Sequence, residues 1–302
     1  MRLRASTNLL TLAVSALALF MSTSIFAQLW ESVPPMNQIR TQFGVAEQDG
    51  KIYVWAGGIV GECAALYDHT TSMEIYDKET RMWTAGADYP EPNRGMMNAV
   101  CDNGLIYSIG GVLDGIVQDP SAFAYDPIND SWSTIAPPPI QQWEGAAATG
   151  CQDQIHVFGG TEDSTKHYIY NTITDTWSTG PDIPIGMAQH AAISVGDKIY
   201  LIGGCIGQGN NAHDIVQIYD VNTMTWSMGS PMPAPRAHFG CTLGPNGQIY
   251  VIGGKTDYFN LCEPFYDDVF LYNPNNDMWR VNPTPFPVPT GELEAITCGS
   301  QI

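Results

Sequence analysis

Between residues 191 and 227 the apolar residues fall into four short runs separated by turn residues. Residues 191–195 form the first run, Gly196 and Asp197 supply a turn, and 198–203 form the second. Residues 215–219 form the third, Asn222 and Thr223 turn the chain, and 224–227 form the fourth. Their β-branched and aromatic content predicts four strands, a to d, joined as a meander. Asp49-Gly50 and Asn103-Gly104 stand at the same a–b turn of earlier stretches, as hairpin signals. Proline-rich segments such as 230–235 cannot sustain a ladder and predict connections between one four-strand unit and the next.

The pattern is periodic. A glycine pair closes an apolar run at Gly57-Gly58, Gly110-Gly111, Gly159-Gly160, Gly203-Gly204 and Gly253-Gly254. Each pair is followed by a tyrosine (Tyr76, Tyr125, Tyr170, Tyr219, Tyr272) and, always seven residues later, a tryptophan (Trp83, Trp132, Trp177, Trp226, Trp279). A period of 44 to 53 residues with strand-like content predicts a repeat architecture, a β-propeller. The glycines are expected where an aromatic ring lies against backbone and a Cβ would obstruct it. The tyrosine and tryptophan rings are expected to pack between successive sheets.

These motifs resemble the kelch repeat, and the resemblance covers roughly residues 30 to 302. It implies an all-β propeller of four-stranded blades, closed by strands from both ends of the chain. Trp30 lies 27 residues before Gly57, as a strand d without a pair before it. A sixth pair would fall near position 306, past Ile302. The expectation is therefore a six-bladed propeller over 28–302. Its closing blade, built from Trp30 and residues 293–298, would be incomplete because the chain stops at residue 302.

Arg2 and Arg4 precede an apolar run from Leu9 to Met21, and small residues end it near Ala27. This predicts a signal peptide over 1–27, hence a periplasmic or secreted protein with no transmembrane segment after cleavage. Twelve Lys and Arg against 31 Asp and Glu give a net charge of −19. That argues against a nucleic-acid partner, whose phosphates need basic residues. Cys101, Cys151, Cys241 and Cys298 fall on or beside strand a and read as core residues. Cys63, Cys205 and Cys262 fall in b–c connections, where a disulfide among them is open. No cysteine spacing suggests structural zinc, and neither a metal nor a cofactor is expected.

The b–c and d–a loops of such blades share one face, where binding is expected. The b–c connections include 62–72, 113–121, 207–214 and 255–267. Arg40, Arg94 and Arg236 recur just before strand a. They read either as loop arginines that bond carbonyls and space the blades, or as a clamp for a carboxylate or sugar acid, which guanidinium grips with two bonds. Glu144, His190 and His238 are the nearby candidates for an acid or base. His156 takes the strand-b slot that holds Tyr53, Tyr107, Tyr200 and Tyr250 elsewhere, and reads as a structural substitute.

Three functions fit such a chain: a module that recognises a protein or glycan, the reading placed first; an enzyme resembling the kelch-type N-acetylneuraminate epimerases; and, last, a copper radical oxidase resembling galactose oxidase. The six histidines lack the paired spacing that the oxidase resemblance implies. Fold alone does not choose between binding and catalysis.

Overall fold

The alternation of apolar runs and tight turns folds into five antiparallel meanders. Blade one consists of β1 (Gly44–Gln48), β2 (Lys51–Trp55), β3 (Met73–Asp77) and β4 (Met82–Gly86). Blade two consists of β5 (Met97–Val100), β6 (Ile106–Ile109), β7 (Ala122–Asp126) and β8 (Ser131–Thr134). Blade three consists of β9 (Ala147–Cys151), β10 (Gln154–Phe158), β11 (His167–Asn171) and β12 (Thr176–Thr179). Blade four consists of β13 (Ala191–Val195), β14 (Lys198–Ile202), β15 (Val216–Asp220) and β16 (Thr225–Met228). Blade five consists of β17 (Gly240–Leu243), β18 (Ile249–Ile252), β19 (Val269–Asn273) and β20 (Met278–Val281). The first strands of successive blades adjoin, so β1, β5, β9, β13 and β17 line the middle. This computed structural model describes residues 30–59, 68–101, 103–113, 120–139, 146–161, 164–205, 211–256, 265–291 and 293–302. The leader expected over 1–27 lies outside them. No helix among the described residues is long and apolar enough to cross a membrane.

The six-bladed expectation is corrected: the described residues hold five blades, not six. Trp30 lies in no strand, and 293–302 makes only an isolated bridge between Cys298 and Gln301. A ladder needs a neighbouring backbone, and among the described residues no b or c strand stands beside these segments. Residues 293–298 are held between blades five and one by single bonds instead. Thr297 Oγ1 donates to the Leu243 carbonyl at 2.7 Å, and Lys78 Nζ donates to the Cys298 carbonyl at 2.7 Å.

The glycine pairs join one blade to the next through backbone, and rings lie against them too, as Phe239 does against Gly203 and His190 against Gly159. The second glycine N–H donates to a carbonyl in the loop leading to the following blade: Gly57 to Asn93, Gly160 to Met187, Gly204 to Arg236 and Gly254 to Thr290. A Cβ on Gly159 would stand 2.2 Å from the Met187 carbonyl oxygen, and one on Gly253 2.4 Å from that of Thr290. In blade one the pair is Ala56-Gly57, because Gly58 sits one place later, bridged to Thr41.

The tyrosine and tryptophan of each unit stand directly opposite each other on the third and fourth strands, as Tyr170 does to Trp177. Their ring centroids lie 4.9 to 5.2 Å apart in the five blades. The tyrosines are buried, whereas the tryptophans are half-buried on the outer strand. Each indole N–H reaches back to a carbonyl in the preceding connection: Trp83 to Pro34, Trp132 to Ala87, Trp177 to Ala136, Trp226 to Pro181 and Trp279 to Ser230. In three blades an aspartate two residues before the tryptophan completes the grip. Asp175 Oδ1 accepts from Tyr170 OH at 2.8 Å and from Ala136 N at 2.7 Å, and Asp130 and Asp277 repeat this. Burial, then the aspartate bond, push the three tyrosine hydroxyls well above their ordinary pKa. Asp175 has φ +52°, a region that Asn and Asp enter more easily than Ala.

Asp175→Ala is therefore expected to cost about 1 kcal/mol, the central value for a lost hydrogen bond, since the Tyr170 bond is part-buried and the Ala136 bond exposed. Asp175→Asn, which keeps an acceptor oxygen and the turn preference, should lose less than half of that. Urea titration of both variants decides; equal losses would show that the oxygen is not what grips Ala136.

Candidate functional site

The first strands surround a cavity of about 480 Å³. Alanines at 99, 146, 147, 148, 192 and 295 are among its lining residues, and polar side chains reach it from the d–a loops, from the first strands and from residues 293–298. Four of these loops share one geometry. Thr41, Arg94, Ala188 and Ala237 each bridge to the residue after a glycine pair. The next residue turns with positive φ in every case: Gln42 (51°), Gly95 (65°), Gln189 (53°) and His238 (54°).

That frame separates the three arginines. Arg40 and Arg236 sit one residue before the bridge, whereas Arg94 is itself the bridging residue. A shift of one residue in extended chain sends the side chain to the opposite face. Arg94 accordingly lines the cavity, half-buried, and its Nη1 donates to Gln42 Oε1 at 2.6 Å. Arg40 and Arg236 do not line it.

Arg40 lies among the strands of blade one. Its guanidinium donates to the Ala56 and Ser72 carbonyls, to Ser72 Oγ and to Glu74 Oε1 at 2.8 Å. Both side chains of the ion pair are almost fully buried, at 0 and 7% exposure. Burial lowers the Arg40 pKa, and Glu74 opposes that shift. Burial alone would raise the Glu74 carboxyl, but bonds from Asn37, Gln38 and Arg40 hold it below its usual range. Arg236 is buried too, bonded to Asp268 Oδ2 and the Pro235 carbonyl, with its guanidinium 3.8 Å above the Tyr266 ring.

His190 and His238 both reach the cavity. His190 stands where the sister loops place Phe43, Met96 and Phe239, and it packs against Gly159 and Gly204. It is 8% exposed, and neither ring nitrogen has a hydrogen-bond partner among the described residues. Burial pushes its pKa down to about 3; burial, with some help from the Lys255 charge, does the same to His238. Both imidazoles are neutral at pH 7. Glu144 lies outside the described residues, as do the tips of the long b–c connections, Cys63 and Cys262. Among the described residues no three metal-ligating side chains converge.

Sequence reasoning missed Gln42, Gln189 and Glu294. The two glutamines follow the bridging residue, a signal visible only once the loops are aligned on the bridge. Glu294 lies in the segment assigned to a closing strand, where nothing marked it. Its carboxyl opens to the water of the channel, yet the surrounding walls raise its pKa to about 7.

Arg40→Ala should cost about 3 kcal/mol, the low end for breaking a buried pair, because Asn37 and Gln38 still hold Glu74. Arg94→Ala should stay within about 0.5 kcal/mol of the parent, as a lumen residue away from the core. Thermal and urea melts of the two variants check this; equal losses would return Arg94 to a blade-spacing role.

A family model described as the KLHDC2/KLHL20/DRC7 Kelch-repeats domain matches residues 136–300, and a Kelch motif model matches 93–139. Kelch-like protein 35 of Mus musculus is 23% identical over 85% of this chain and 42% of its own length. Beta-scruin of Limulus polyphemus is 27% identical over 66% of this chain and 23% of its own. Kelch-like protein terF of Aspergillus terreus is 28% identical over 72% of this chain and 50% of its own. The chain thus spans half or less of the length of these relatives. The solved structure of YjhT superposes with a TM-score of 0.69 at 18% identity, over 87% of this chain and 88% of that one, a likeness of fold. With the family model covering more than half of its residues, this chain belongs to the kelch-repeat family.

Proposed function

We propose that the channel binds a sugar acid and interconverts its ring forms at the anomeric carbon, as the kelch-type N-acetylneuraminate epimerases do. The observation that carries this reading is the set of groups in one cavity: the Arg94 guanidinium, the neutral imidazoles of His190 and His238, and the Glu294 carboxyl poised near pH 7. A volume of about 480 Å³ lies within the range of small-molecule sites. Arg94 pairs with the substrate carboxylate. His190 and His238 accept or donate hydrogen bonds to ring hydroxyls without adding charge.

Protonated Glu294 is suited to the chemistry because a carboxylic acid carries a donor and an acceptor side by side. Its O–H protonates the ring oxygen while its carbonyl oxygen takes the proton of the anomeric hydroxyl. The ring C–O bond breaks, its electron pair goes to the ring oxygen, and a carbonyl forms at the anomeric carbon. Rotation about the adjacent bond and reversal of the two proton transfers close the ring on the other face. Protons balance in each direction, and a pKa near the working pH is the optimum for such transfer. In the same proposal the protein acts in the periplasm or after secretion, a reading that the leader pattern over 1–27 supports.

Calorimetric titration with N-acetylneuraminate should show saturable binding, weakened at least about ten-fold in Arg94→Ala by loss of a charge-assisted pair. Proton exchange spectra should show faster anomer interconversion with the parent protein. The gain should fall as pH rises through about 7, where Glu294 loses its proton. Glu294→Gln should bind but not accelerate. Binding without acceleration in the parent protein would leave a glycan-binding module. No binding would reject the sugar-acid reading.

A further inference from the structure

The joints between blades are not equivalent. In three of them the strand-b tyrosine of one blade meets the repeat tyrosine of the next: Tyr53 with Tyr125 (5.7 Å), Tyr107 with Tyr170 (6.0 Å) and Tyr200 with Tyr272 (5.7 Å). Between blades three and four His156 takes that tyrosine's place, 5.9 Å from Tyr219. A second histidine accompanies it. His167 opens β11 opposite Phe158, where the corresponding residues of blades four and five are Val216 and Val269.

The two imidazoles bond to each other, His156 Nδ1 to His167 Nε2, at 2.9 Å. Both are buried, with 0 and 1% exposure. Phe158 stacks on His167 at 4.3 Å, while Tyr219 and Trp226 meet it edge-on at 4.8 and 6.2 Å. Gly180 lets the ring lie against backbone, where a Cβ would sit 2.2 Å from Nδ1. Among the described residues no carboxylate faces the pair; its titratable neighbours are the two rings themselves and Tyr219 on β15. His156 also lines a crevice of about 370 Å³ beside Gln152, Tyr219 and Asn222, which gives water an approach.

Such a bond holds only while at least one ring is neutral, since two imidazolium rings at 2.9 Å would each present only donors. We propose that the His156–His167 pair makes the joint between blades three and four an acid-operated opening, which parts these two blades before the rest of the propeller unfolds. The same joint bears on the channel wall. There Ser194 Oγ donates to the Gly150 carbonyl at 2.6 Å and lies 3.0 Å from Thr149 Oγ1, and His190 directly precedes β13. Opening would therefore reshape the cavity from one side.

Desolvation lowers His156 to about pKa 4 and, with its neighbour's charge, His167 to about 3. The ordinary imidazole value is 6.5, so the open state binds protons that the closed state refuses. Stability of the joint is full above pH 6.5 and is lost as pH falls towards 4. Each imidazole multiplies the open population by up to about ten per pH unit in that window.

Hydrogen exchange read by mass spectrometry at pH 7.5 and pH 5, corrected for intrinsic rates, tests the proposal. Peptides over β10, β11 and β15 should lose protection at least about ten-fold more than those over β18 and β19, as the linkage predicts. The double variant His156→Tyr with His167→Val rebuilds the tyrosine and valine found in blades four and five, and should abolish the difference. If that variant does not fold, side-chain carbon shifts of the two histidines in the parent protein decide. Imidazolium signals appearing between pH 6 and 4.5, together with lost protection at the joint, support opening. Uniform protection loss across all blades, or rings that stay neutral to pH 4 in a closed joint, would overturn it.

Discussion

A backbone N–H of one blade bonded to a loop carbonyl of the next is the contact on which the remaining geometry depends. It works only because both glycines of the pair lack a side chain: the first leaves room where the next loop passes, and the second, which carries the N–H, leaves room for the loop that enters its own blade. At Gly204 a Cβ would come within 2.4 Å of the Ala188 carbonyl oxygen, and at Gly203 within 2.7 Å of that of Arg236. Both glycines also hold positive φ, so a substituent there would be strained as well as crowded. The bond sets how far the next d–a loop stands from its neighbour. The bridge one residue on, as from Cys205 to Ala188, then fixes which side chains of the loop entering its own blade point inward. The outer tryptophan and aspartate grip the same connection from the far side of the blade. Each connection is thus held at two ends, and the side chains between inherit a fixed direction.

Within that frame a single position of offset decides between structure and chemistry. Arg40 and Arg94 look alike in the sequence, each an arginine shortly before a first strand. Counted from the bridge they differ by one residue. One is enclosed by the carbonyls of blade one and Glu74, and the other faces the cavity. The buried arginine stabilises its blade because its charge is matched within bonding distance. An unmatched guanidinium at the same depth would carry a desolvation cost of several kcal/mol.

The strand pattern was legible because it depends on local features: alternation, turn residues and the seven-residue step from tyrosine to tryptophan. In blade four the four strands expected from residues 191–227 match β13 to β16 within a residue or two at each end. The blade count was less legible, because a strand exists only where another backbone pairs with it. Residues 293–298 carry a strand-like composition without such a partner. The role of the glycines was half legible. Their need for space and the ring against them were clear, but a carbonyl from a loop some 30 residues away fills that space as well, for instance Met187 beside His190 against Gly159. The site was the least legible. Whether an arginine or glutamate faces a cavity depends on a register that is set by contacts between blades.

Repetition makes departures meaningful, because each slot has sister positions that show what the fold alone requires. The slot of His190 is otherwise filled by Phe43, Met96 and Phe239, and the slot of His156 by four tyrosines. Packing would be served better by the apolar or aromatic residue in both cases, since a buried imidazole with an unsatisfied nitrogen costs stability. The two histidines differ in what surrounds them. His190 has no hydrogen-bond partner among the described residues and lines the cavity. His156 has a partner in His167 and faces aromatic rings, so its chemistry is turned on the protein itself. One substitution thus belongs with the cavity and, in the proposal made above, with its ligand; the other belongs with the cohesion of the ring. The joint between blades three and four, where β9 meets β13, is the place at which the second can act on the first.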